Sequence, residues 1–197
     1  LQITGKDEND TTQYYLPYGS YLLVDNKDKV EVGDILSQCG VSANTIITVN
    51  PGTYDGRMIL DHVPGTGPAA TVTINGVDAS LVTMTNSAGF SNIYFDGTDY
   101  TTIKNITLDN QGTNDCYGVQ FRDTSGYNTL DSLVINMSAG TGLTDVIGVS
   151  ASDTETSSFT EGQNAHHTTV SNCQINGGEK GIHFEGQNAL RNVGNKF

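Results

Sequence analysis

Three polar side chains at matching places of a repeated phrase could contact a sugar. Each lies between two apolar residues, in the triplets Ile93-Tyr94-Phe95, Val119-Gln120-Phe121 and Ile182-His183-Phe184. Because successive side chains of a strand point to opposite faces, Tyr94, Gln120 and His183 are expected to face solvent. Aromatic rings and amides on a flat sheet suit the faces and hydroxyls of sugars. The sequence therefore predicts a glycan-contact row of these three residues, with an ordinary exposed sheet face as the alternative.

The histidine and cysteine residues argue against a metal site. His166 and His167 are adjacent, and neighbours in a strand point to opposite faces, so both cannot easily reach one ion. The three cysteines show no CxxC spacing, which makes a zinc site improbable on pattern alone. Cys173 is expected to be a packed free thiol. A disulfide between Cys39 and Cys116 stays open, because it depends on geometry that the sequence does not give.

The charge balance limits the classes of partner. The chain has 9 Lys and Arg against 22 Asp and Glu, a net charge of −13. Such a surface repels nucleic acid and anionic membranes, so we predict neither nucleic-acid binding nor membrane insertion. No apolar run approaches the roughly 20 residues of a membrane span. Acidity suits solubility or divalent cations, so no cofactor is predicted other than structural calcium as an option.

The repeated phrases indicate the elements that position these residues. Each consists of an alternating strand, a polar turn and a second strand, and the strand starts Ile93 and Val119 lie about 26 residues apart, as in stacked-coil repeats. Such a unit cannot bury its apolar face alone and must stack on a copy of itself. The sequence thus predicts an all-β parallel β-helix, a solenoid, with two stacked columns of apolar side chains inside it. The columns are Phe95, Phe121 and Phe184, and Ile103, Leu130, Val170 and Leu190.

The remaining segments divide the chain into two parts. Residues 1–29 are expected to be an N-terminal extension or an inter-subunit segment, with a strand over 21–24. Residues 30–39 show helical apolar spacing followed by Gly40, which predicts a short helix near the N-terminus. The β-helix domain is expected to cover 30–197. Within it, the polar stretch 150–167 lacks apolar periodicity and is expected to be a surface loop inserted between coils.

A family resemblance supports this architecture. The stretches 48–54, 64–67, 71–76 and 100–107 resemble right-handed parallel β-helix, pectate-lyase-like domains of secreted surface proteins from Bacteroidetes-type bacteria. The resemblance implies a right-handed solenoid, a cap formed by the helix at 30–39, and a secreted or cell-surface location. It implies little about activity, because this fold carries lyases, hydrolases, phage spikes and adhesins alike.

Lyases of this fold hold Ca²⁺ with carboxylates and use a Lys or Arg base, since the cation makes a uronate proton easier to abstract. Lys104 and Arg122 are the basic residues that the resemblance offers for this role. The aspartates available to it are Asp96, Asp99, Asp109, Asp115, Asp123 and Asp131. Aspartates in turns usually bond local backbone, so solvated turn carboxylates are the preferred interpretation and no catalytic residue is predicted.

Hydrolase and esterase patterns are incomplete. The paired-carboxylate phrases of polygalacturonase-like hydrolases, such as Asn-Thr-Asp and Gly-His-Gly, do not occur in the chain. Residues 51–54, Pro-Gly-Thr-Tyr, resemble a phrase of pectin methylesterases, but the downstream phrases of that family are absent. We therefore interpret 51–54 as a structural turn in which glycine supplies backbone freedom.

Glycosylation offers further candidate sites. N-x-S/T sequons occur at Asn9, Asn105 and Asn136. If the resemblance holds, the O-glycosylation phrase of Bacteroidetes, Asp-Ser/Thr followed by an apolar residue or Thr, makes Thr11 and Ser132 acceptors. Asn105 has an alternative role, because its side chain could join a ladder of stacked asparagines.

Three functions follow as hypotheses. The first is a non-enzymatic extracellular module of an adhesin, stalk or fibre, glycosylated and contacting polysaccharide or cell-surface glycans. The second is a carbohydrate-active enzyme, a polysaccharide lyase or glycoside hydrolase, on the same fold. The third is a protomer of a homo-oligomer or filament, because open solenoid ends stack and residues 1–29 could add a strand to a neighbour. The coil-like phrase at 192–197 has no evident cap, so further coils or another molecule are expected to cover it.

Overall fold

The computed structural model describes residues 44–86, 90–139, 141–187 and 192–197, together with the backbone of four short strands nearer the N-terminus. These four are β1 (Gln2–Thr4), β2 (Thr11–Gln13), β3 (Ser20–Leu22) and β4 (Ser37–Cys39). They pair antiparallel, β1 with β2 and β3 with β4. Residues 37–39 therefore form a strand where a helix end was expected, and residues 30–36 of the predicted helix lie outside the described part. The strand expected over 21–24 overlaps β3.

The rest of the described chain is an all-β parallel solenoid of about five turns. Its strands are, in chain order, β5 (Thr45–Val49), β6 (Gly52–Asp55), β7 (Met58–Asp61), β8 (Val72–Gly76), β9 (Val82–Thr85), β10 (Phe90–Asp96), β11 (Thr101–Lys104), β12 (Thr107–Asn110), β13 (Asn114–Arg122), β14 (Ser125–Gly126), β15 (Thr129–Asp131), β16 (Val134–Met137), β17 (Thr144–Ala151), β18 (Ala165–His166), β19 (Thr169–Ser171), β20 (Gln174–Asn176) and β21 (Lys180–Phe184). No helix long and apolar enough to cross a membrane occurs among these residues.

Three five-stranded parallel sheets wrap the core. Sheet A contains β5, β8, β11, β15 and β19; sheet B contains β6, β9, β12, β16 and β20; sheet C contains β7, β10, β13, β17 and β21. Each turn contributes one strand to each sheet in that order. The short strands β14 and β18 pair with each other at the corner that leads back from sheet C to sheet A. The prediction of a parallel β-solenoid is confirmed.

The core of sheet A is a column of aliphatic side chains in register. Ile103 lies opposite Leu130, and Leu130 opposite Val170, as the sequence predicted. All three are buried. Leu190 lies outside the described residues, and the chain that actually follows Val170 in this sheet is the segment around Lys196, which bridges to Thr169.

The aromatic column in sheet C contains one turn more than the sequence predicted. Phe95 and Phe121 are stacked with their ring centroids 4.6 Å apart. Phe184 does not follow Phe121 directly, because Ala151 of strand β17 lies between them in the register. Since alanine is small, the rings of Phe121 and Phe184 still meet edge to face at 6.1 Å. Strand β17 completes the turn of β15 and β16, and the sequence pattern did not reveal this strand.

One turn carries a long insertion. Residues 152–164, here called the strap, connect β17 to β18 without a strand of their own. The sequence placed this loop over 150–167, but Ser150 lies in β17 and His166 in β18. The strap folds back on itself, because the Asp153 amide donates to the Thr160 carbonyl at 3.1 Å. It is therefore a compact surface loop and not an extended linker.

Asparagine side chains replace backbone hydrogen bonds at the corner between sheets C and A. The Asn128 amide accepts from the Thr101 backbone N–H at 2.9 Å and donates to the Thr98 carbonyl at 2.7 Å. Farther along the axis, Asn195 makes the same pair of bonds to Thr168 and Ala165. Each amide thus ties one turn to the next where no strand pairing is available.

An external stack of rings follows the same corner. Tyr100, Tyr127 and His167 all have a positive φ, between 50° and 54°, which is uncommon for bulky residues. The Tyr127 ring is parallel to Tyr100 at 4.7 Å and nearly parallel to His167 at 4.8 Å. Stacking between turns offsets part of the cost of this backbone conformation.

Replacing Asn128 tests the corner. Asn128→Ala leaves the Thr101 N–H and the Thr98 carbonyl buried without partners, so we expect the free energy of unfolding to fall by about 2 to 4 kcal/mol. Urea unfolding followed by circular dichroism measures the change. The control is Asn114→Ala, at an exposed position, which should change stability by less than about 0.5 kcal/mol. Equal effects of the two substitutions would contradict this role of the amide.

Candidate functional site on the outer face of sheet C

The predicted glycan-contact residues lie in one row across sheet C. Tyr94 is opposite Gln120, Gln120 opposite Ser150, and Ser150 opposite His183. Parallel pairing spaces such neighbours by the distance between strands, so the row runs along the solenoid axis. The sequence prediction missed Ser150. Its triplet Val149-Ser150-Ala151 has the same apolar-polar-apolar pattern and could have revealed it.

The row is covered, which corrects the expectation that these residues face solvent. Gln120 and Ser150 are 0% exposed and Tyr94 is 5% exposed, while the His183 side chain retains 23% of its exposure. The strap lies against this face, and the Gln120 amide donates to the carbonyl of Thr154 in the strap at 3.0 Å. The outer face of sheet C is therefore an interior surface in this structure.

The strap contacts the first and the last turn. Glu155 forms an ion pair with Arg57, which lies just before β7 in the first turn. The Phe159 ring is 5.1 Å from the His183 ring, and the Lys180 ammonium lies 4.2 Å from the Phe159 centroid. The strap thus extends along the axis from one end of sheet C to the other.

A buried carboxylate fixes the middle of the strap. Asp145 accepts from the Tyr117 hydroxyl at 2.7 Å and from the Ser158 backbone N–H at 2.8 Å, and the Ser158 hydroxyl donates to its other oxygen. Burial and the bond to Asp145 raise the pKa of Tyr117, which keeps that hydroxyl a donor. Three donors on one buried carboxylate make this the most firmly bonded point of the strap.

Several polar atoms under and beside the strap have no hydrogen-bond partner among the described residues. They are Gln120 Oε1, Ser150 Oγ and His183 Nε2. His183 Nε2 lies 3.3 Å from a Glu185 carboxylate oxygen, close enough for an electrostatic contact, but the angles are not those of a hydrogen bond. A buried polar atom without a partner costs about 1 to 3 kcal/mol. The closed row therefore holds hydrogen-bonding capacity that the protein itself does not use.

Positive charge gathers at one end of the row. The Arg57 guanidinium donates to the Ser91 carbonyl and hydroxyl, each at 3.0 Å, and lies 5.4 Å from the Tyr94 ring centroid. Its remaining terminal nitrogen faces Glu155. Arg57 is thus held in a fixed orientation with one nitrogen presented to a carboxylate.

Arg122 is unsuited to the base role that the resemblance offers. Its guanidinium donates to the Tyr94 hydroxyl at 3.4 Å and lies 3.9 Å from Asp96. The bond to Tyr94, followed by the nearby charges, raises the pKa of Arg122 further. A general base needs a pKa near the working pH, so this environment acts in the opposite direction.

The candidate catalytic residues converge only in part, because Arg122, Asp96 and Asp123 lie together around His62 while the others lie elsewhere. Lys104 lies in sheet A and Arg122 in sheet C. The aspartates are distributed over all three sheets and their corners, and each has a close partner. The partners are Arg122 for Asp96, the Gly126 N–H for Asp99, Gln111 for Asp109, Asn114 for Asp115, His62 for Asp123, and Ser171 and Asn172 for Asp131. Within the described ranges no three Asp, Glu, His or Cys side chains could hold a metal ion together. Structural calcium stays a prediction, because backbone and amide oxygens also bind this ion.

A charged contact that the sequence did not reveal joins the first and third turns. His62 Nδ1 is 2.5 Å from Asp61 and its Nε2 is 3.2 Å from Asp123. The ring passes over Gly97, where a Cβ would approach Nε2 to 2.5 Å. The hydrogen bond to Asp61, with the charges of Asp61, Asp123 and Asp96, raises the pKa of His62. Only the register of the turns brings these residues together.

The glycosylation candidates differ in their surroundings. Asn9 and the side chain of Thr11 lie outside the described part. Asn105 sits at a turn between β11 and β12 and donates to the Asn75 side chain at 2.9 Å, which is the asparagine pairing considered as its alternative role. Asn136 accepts from Asn176 at 2.8 Å, and Ser132 is a half-buried turn residue with positive φ.

The histidine pair and the cysteines are structural where they are described. The rings of His166 and His167 are inclined by 77°, and Tyr127 stacks face to face on His167 while it meets His166 edge to face. Cys116 and Cys173 are free thiols, so the disulfide between Cys39 and Cys116 does not form. Cys173 packs against the core, as predicted, and burial raises the pKa of its thiol.

Comparison with models of known protein families, with curated proteins and with solved structures finds no match to this chain. The solenoid architecture consequently rests on the structure itself. The resemblance to pectate-lyase-like surface domains stays a proposal.

The His62 contact predicts a dependence of stability on pH. A raised pKa in the folded state means that the contact stabilises fully below the unfolded value, near 6.5, and that this contribution is lost as pH rises through the folded pKa. We expect His62→Gln to lower the urea midpoint at pH 5.5 and to change it much less at pH 8.5. The facing charged groups are Asp61, Asp96, Asp123 and Arg122. If the loss of urea midpoint in His62→Gln were larger at pH 8.5 than at pH 5.5, the raised pKa of His62 would be contradicted.

Proposed function

We propose that the chain is a non-enzymatic β-solenoid module of a secreted or cell-surface protein, an adhesin, stalk or fibre, that contacts glycans through the outer face of sheet C. The observation that carries the proposal is the row of Tyr94, Gln120, Ser150 and His183, with its unused hydrogen-bonding atoms. Sugar hydroxyls both donate and accept, so they match an amide oxygen, a serine hydroxyl and an imidazole in one line. Tyr94 adds an aromatic group of the kind that sugar rings pack against.

The cellular context in this proposal comes from the resemblance to surface domains of Bacteroidetes-type bacteria. An acidic, polar surface suits such a setting, and glycosylation at the sequons or at Thr11 and Ser132 is part of the same proposal. Structural calcium is part of the proposal as an option, and it would need ligands other than three clustered acidic, histidine or cysteine side chains of the described residues. Location and glycosylation concern the setting in which the module would work, whereas the row of polar residues concerns its binding.

The two alternative functions have less support. The enzyme hypothesis requires acid and base groups near one substrate atom, and most of its candidate residues are spread over different sheets. Arg122 does lie near Asp96 and Asp123, but its guanidinium is bonded to Tyr94 and its raised pKa opposes the role of a base. The filament hypothesis has a specific observation in its favour. Large apolar side chains are exposed near both ends of the described solenoid, among them Ile46, Ile47 and Ile59 in the first turn and Val193 and Phe197 in the last. Self-association is compatible with glycan contact and would add avidity.

Binding to a glycan array tests the proposed function. We expect the purified protein to bind a subset of glycans, and Ser150→Ala and Gln120→Leu each to weaken that binding about tenfold, because a site built for hydroxyls loses a partner. Ser150→Ala leaves the bond from Gln120 to the strap in place, so it separates loss of contact from loosening of the strap. Gln111→Leu, at an exposed position on another corner, is the control and should bind normally.

Two results would count against the proposal. One is the absence of binding to any glycan by folded, unsubstituted protein. The other is binding that survives both substitutions in the row unchanged, which would place the contact surface elsewhere.

A further inference from the structure

The strap covers the face that the proposed function requires, so a ligand must displace it. The contact of the strap with Arg57 suggests how a ligand could do so. Glu155 is the strap residue that pairs with Arg57, and Arg57 is otherwise fixed by two bonds to Ser91 and by the rings of Phe90 and Tyr94. A guanidinium held in this way is a ready site for a carboxylate. In the closed structure, the carboxylate that fills the site belongs to the protein.

We propose that Arg57 is a carboxylate-binding subsite for an acidic cell-surface glycan, and that Glu155 occupies it as an internal competitor until the strap lifts. This inference rests on the proposed function, because it takes the row beside Tyr94 as the place where the remainder of the glycan binds. The subsite adds a selectivity that the row lacks, since amide and hydroxyl groups do not distinguish neutral from acidic sugars.

The central part of the strap, residues 153–160, here called the tip, could separate from sheet C as a unit. Bonds within the strap tie the two ends of the tip together, from the Asp153 N–H to the Thr160 carbonyl and from the Thr160 N–H to the Ser152 hydroxyl at 3.1 Å. These bonds survive if the tip moves away from sheet C. At the Arg57 end, Thr154 and Glu155 of the strap contact sheet C through the single bond from Gln120 to Thr154 and the ion pair of Glu155 with Arg57. Both are contacts that an incoming carboxylate and hydroxyl could replace.

The closed state leaves unmade bonds that the open, occupied state can make. Gln120 Oε1 and Ser150 Oγ lie on 0% exposed side chains and have no partner within the described residues. Opposing this, the bonds of Ser158 to Asp145 hold the strap closed. The unpaired atoms favour the open, occupied state and the Ser158 bonds favour the closed one, so an acidic glycan can displace the strap. Loss of the Glu155 charge should raise the population of the open state.

The overall charge of the chain does not forbid an acidic ligand. Although the net charge is −13, Arg57 stands at the end of this face where its only ion-pair partner among the described residues is Glu155, while Arg122 is already near Asp96. At physiological salt the Debye length is about 8 Å, so the nearest charges dominate the field at the subsite. Binding is consequently best measured at 0.15 M salt, where distant acidic groups are screened.

The test compares sialyllactose with lactose, which differ by the residue that carries the carboxylate. Calorimetric titration should show that Glu155→Gln binds sialyllactose about two- to fivefold more tightly than the unsubstituted protein, the range expected from removing a partly exposed ion pair. Glu161→Gln is the matched control, because it removes the same charge from an exposed part of the strap and should leave affinity unchanged. Arg57→Lys should weaken sialyllactose binding about tenfold and leave lactose binding unaffected.

A second measurement reports strap opening without any ligand. Ser150→Cys places a thiol beneath the strap, and mass spectrometry distinguishes its labelling from that of Cys39, Cys116 and Cys173. Labelling should be faster when Glu155→Gln is added than when Glu161→Gln is added. Equal rates would overturn the role of Glu155 as the contact that closes the strap.

The outcomes separate this inference from the proposed function. Binding of lactose and sialyllactose with equal affinity, unaffected by Glu155→Gln, overturns the carboxylate subsite while leaving glycan contact intact. Absence of binding to both sugars in every variant, despite faster labelling, overturns glycan contact and with it the ligand class proposed here. A glutamate oligomer that binds as tightly as sialyllactose would show that Arg57 selects acidic peptides instead.

Discussion

The in-register stacking of one turn on the next is the constraint on which the rest of this structure depends. A single turn of three short strands has an apolar face that it cannot bury alone, and Ile103 is enclosed only because Leu130 lies against it in the following turn. The same register that aligns side chains inside the solenoid also aligns those outside it. Tyr94, Gln120, Ser150 and His183 therefore form a straight row as a consequence of how the core packs.

The strap turns this row from a surface into an interior. It contributes one firmly bonded point, Ser158 on Asp145, and one ionic contact, Glu155 on Arg57. Beneath it, Gln120 and Ser150 keep polar atoms that gain nothing from being covered. A cover fixed by polar contacts over a polar row is less firmly held than the aliphatic core under it. The lower local stability of such a region is what a displaceable segment requires.

The sequence contained most of the architecture and little of the site. Period-two patterns predicted the strands and the columns through Ile103 and Phe95, because inward positions of a solenoid must be apolar in every turn. Strand β17 was missed, since its polar start at Thr144 and Asp145 obscures the alternation and its polar partner, the strap, follows at once. Residues 37–39 form a strand despite helical apolar spacing, so tertiary pairing with β3 outweighed a short periodic pattern.

Contacts across turns could not be predicted for a physical reason. His62 reaches Asp123 over Gly97, a contact between residues that are far apart in the chain and meet only when three turns are stacked. The burial of Gln120 likewise depends on the path of the strap, which no local pattern encodes. The positive φ of Tyr100 and Tyr127 was equally hidden, because these positions usually favour glycine or asparagine, and here ring stacking permits tyrosine.

Native-state hydrogen exchange of the free protein tests the central claim most directly, namely that the strap is a separate, more weakly held layer over a stable solenoid. We expect backbone amides of the strap, including the strongly anchored Ser158, to exchange through a local opening whose free energy is well below that of global unfolding. Amides of β13 and β17 beneath it should exchange only through global unfolding. Exchange of the strap and of β17 with the same free energy would show that they form one cooperative unit, and would contradict the account.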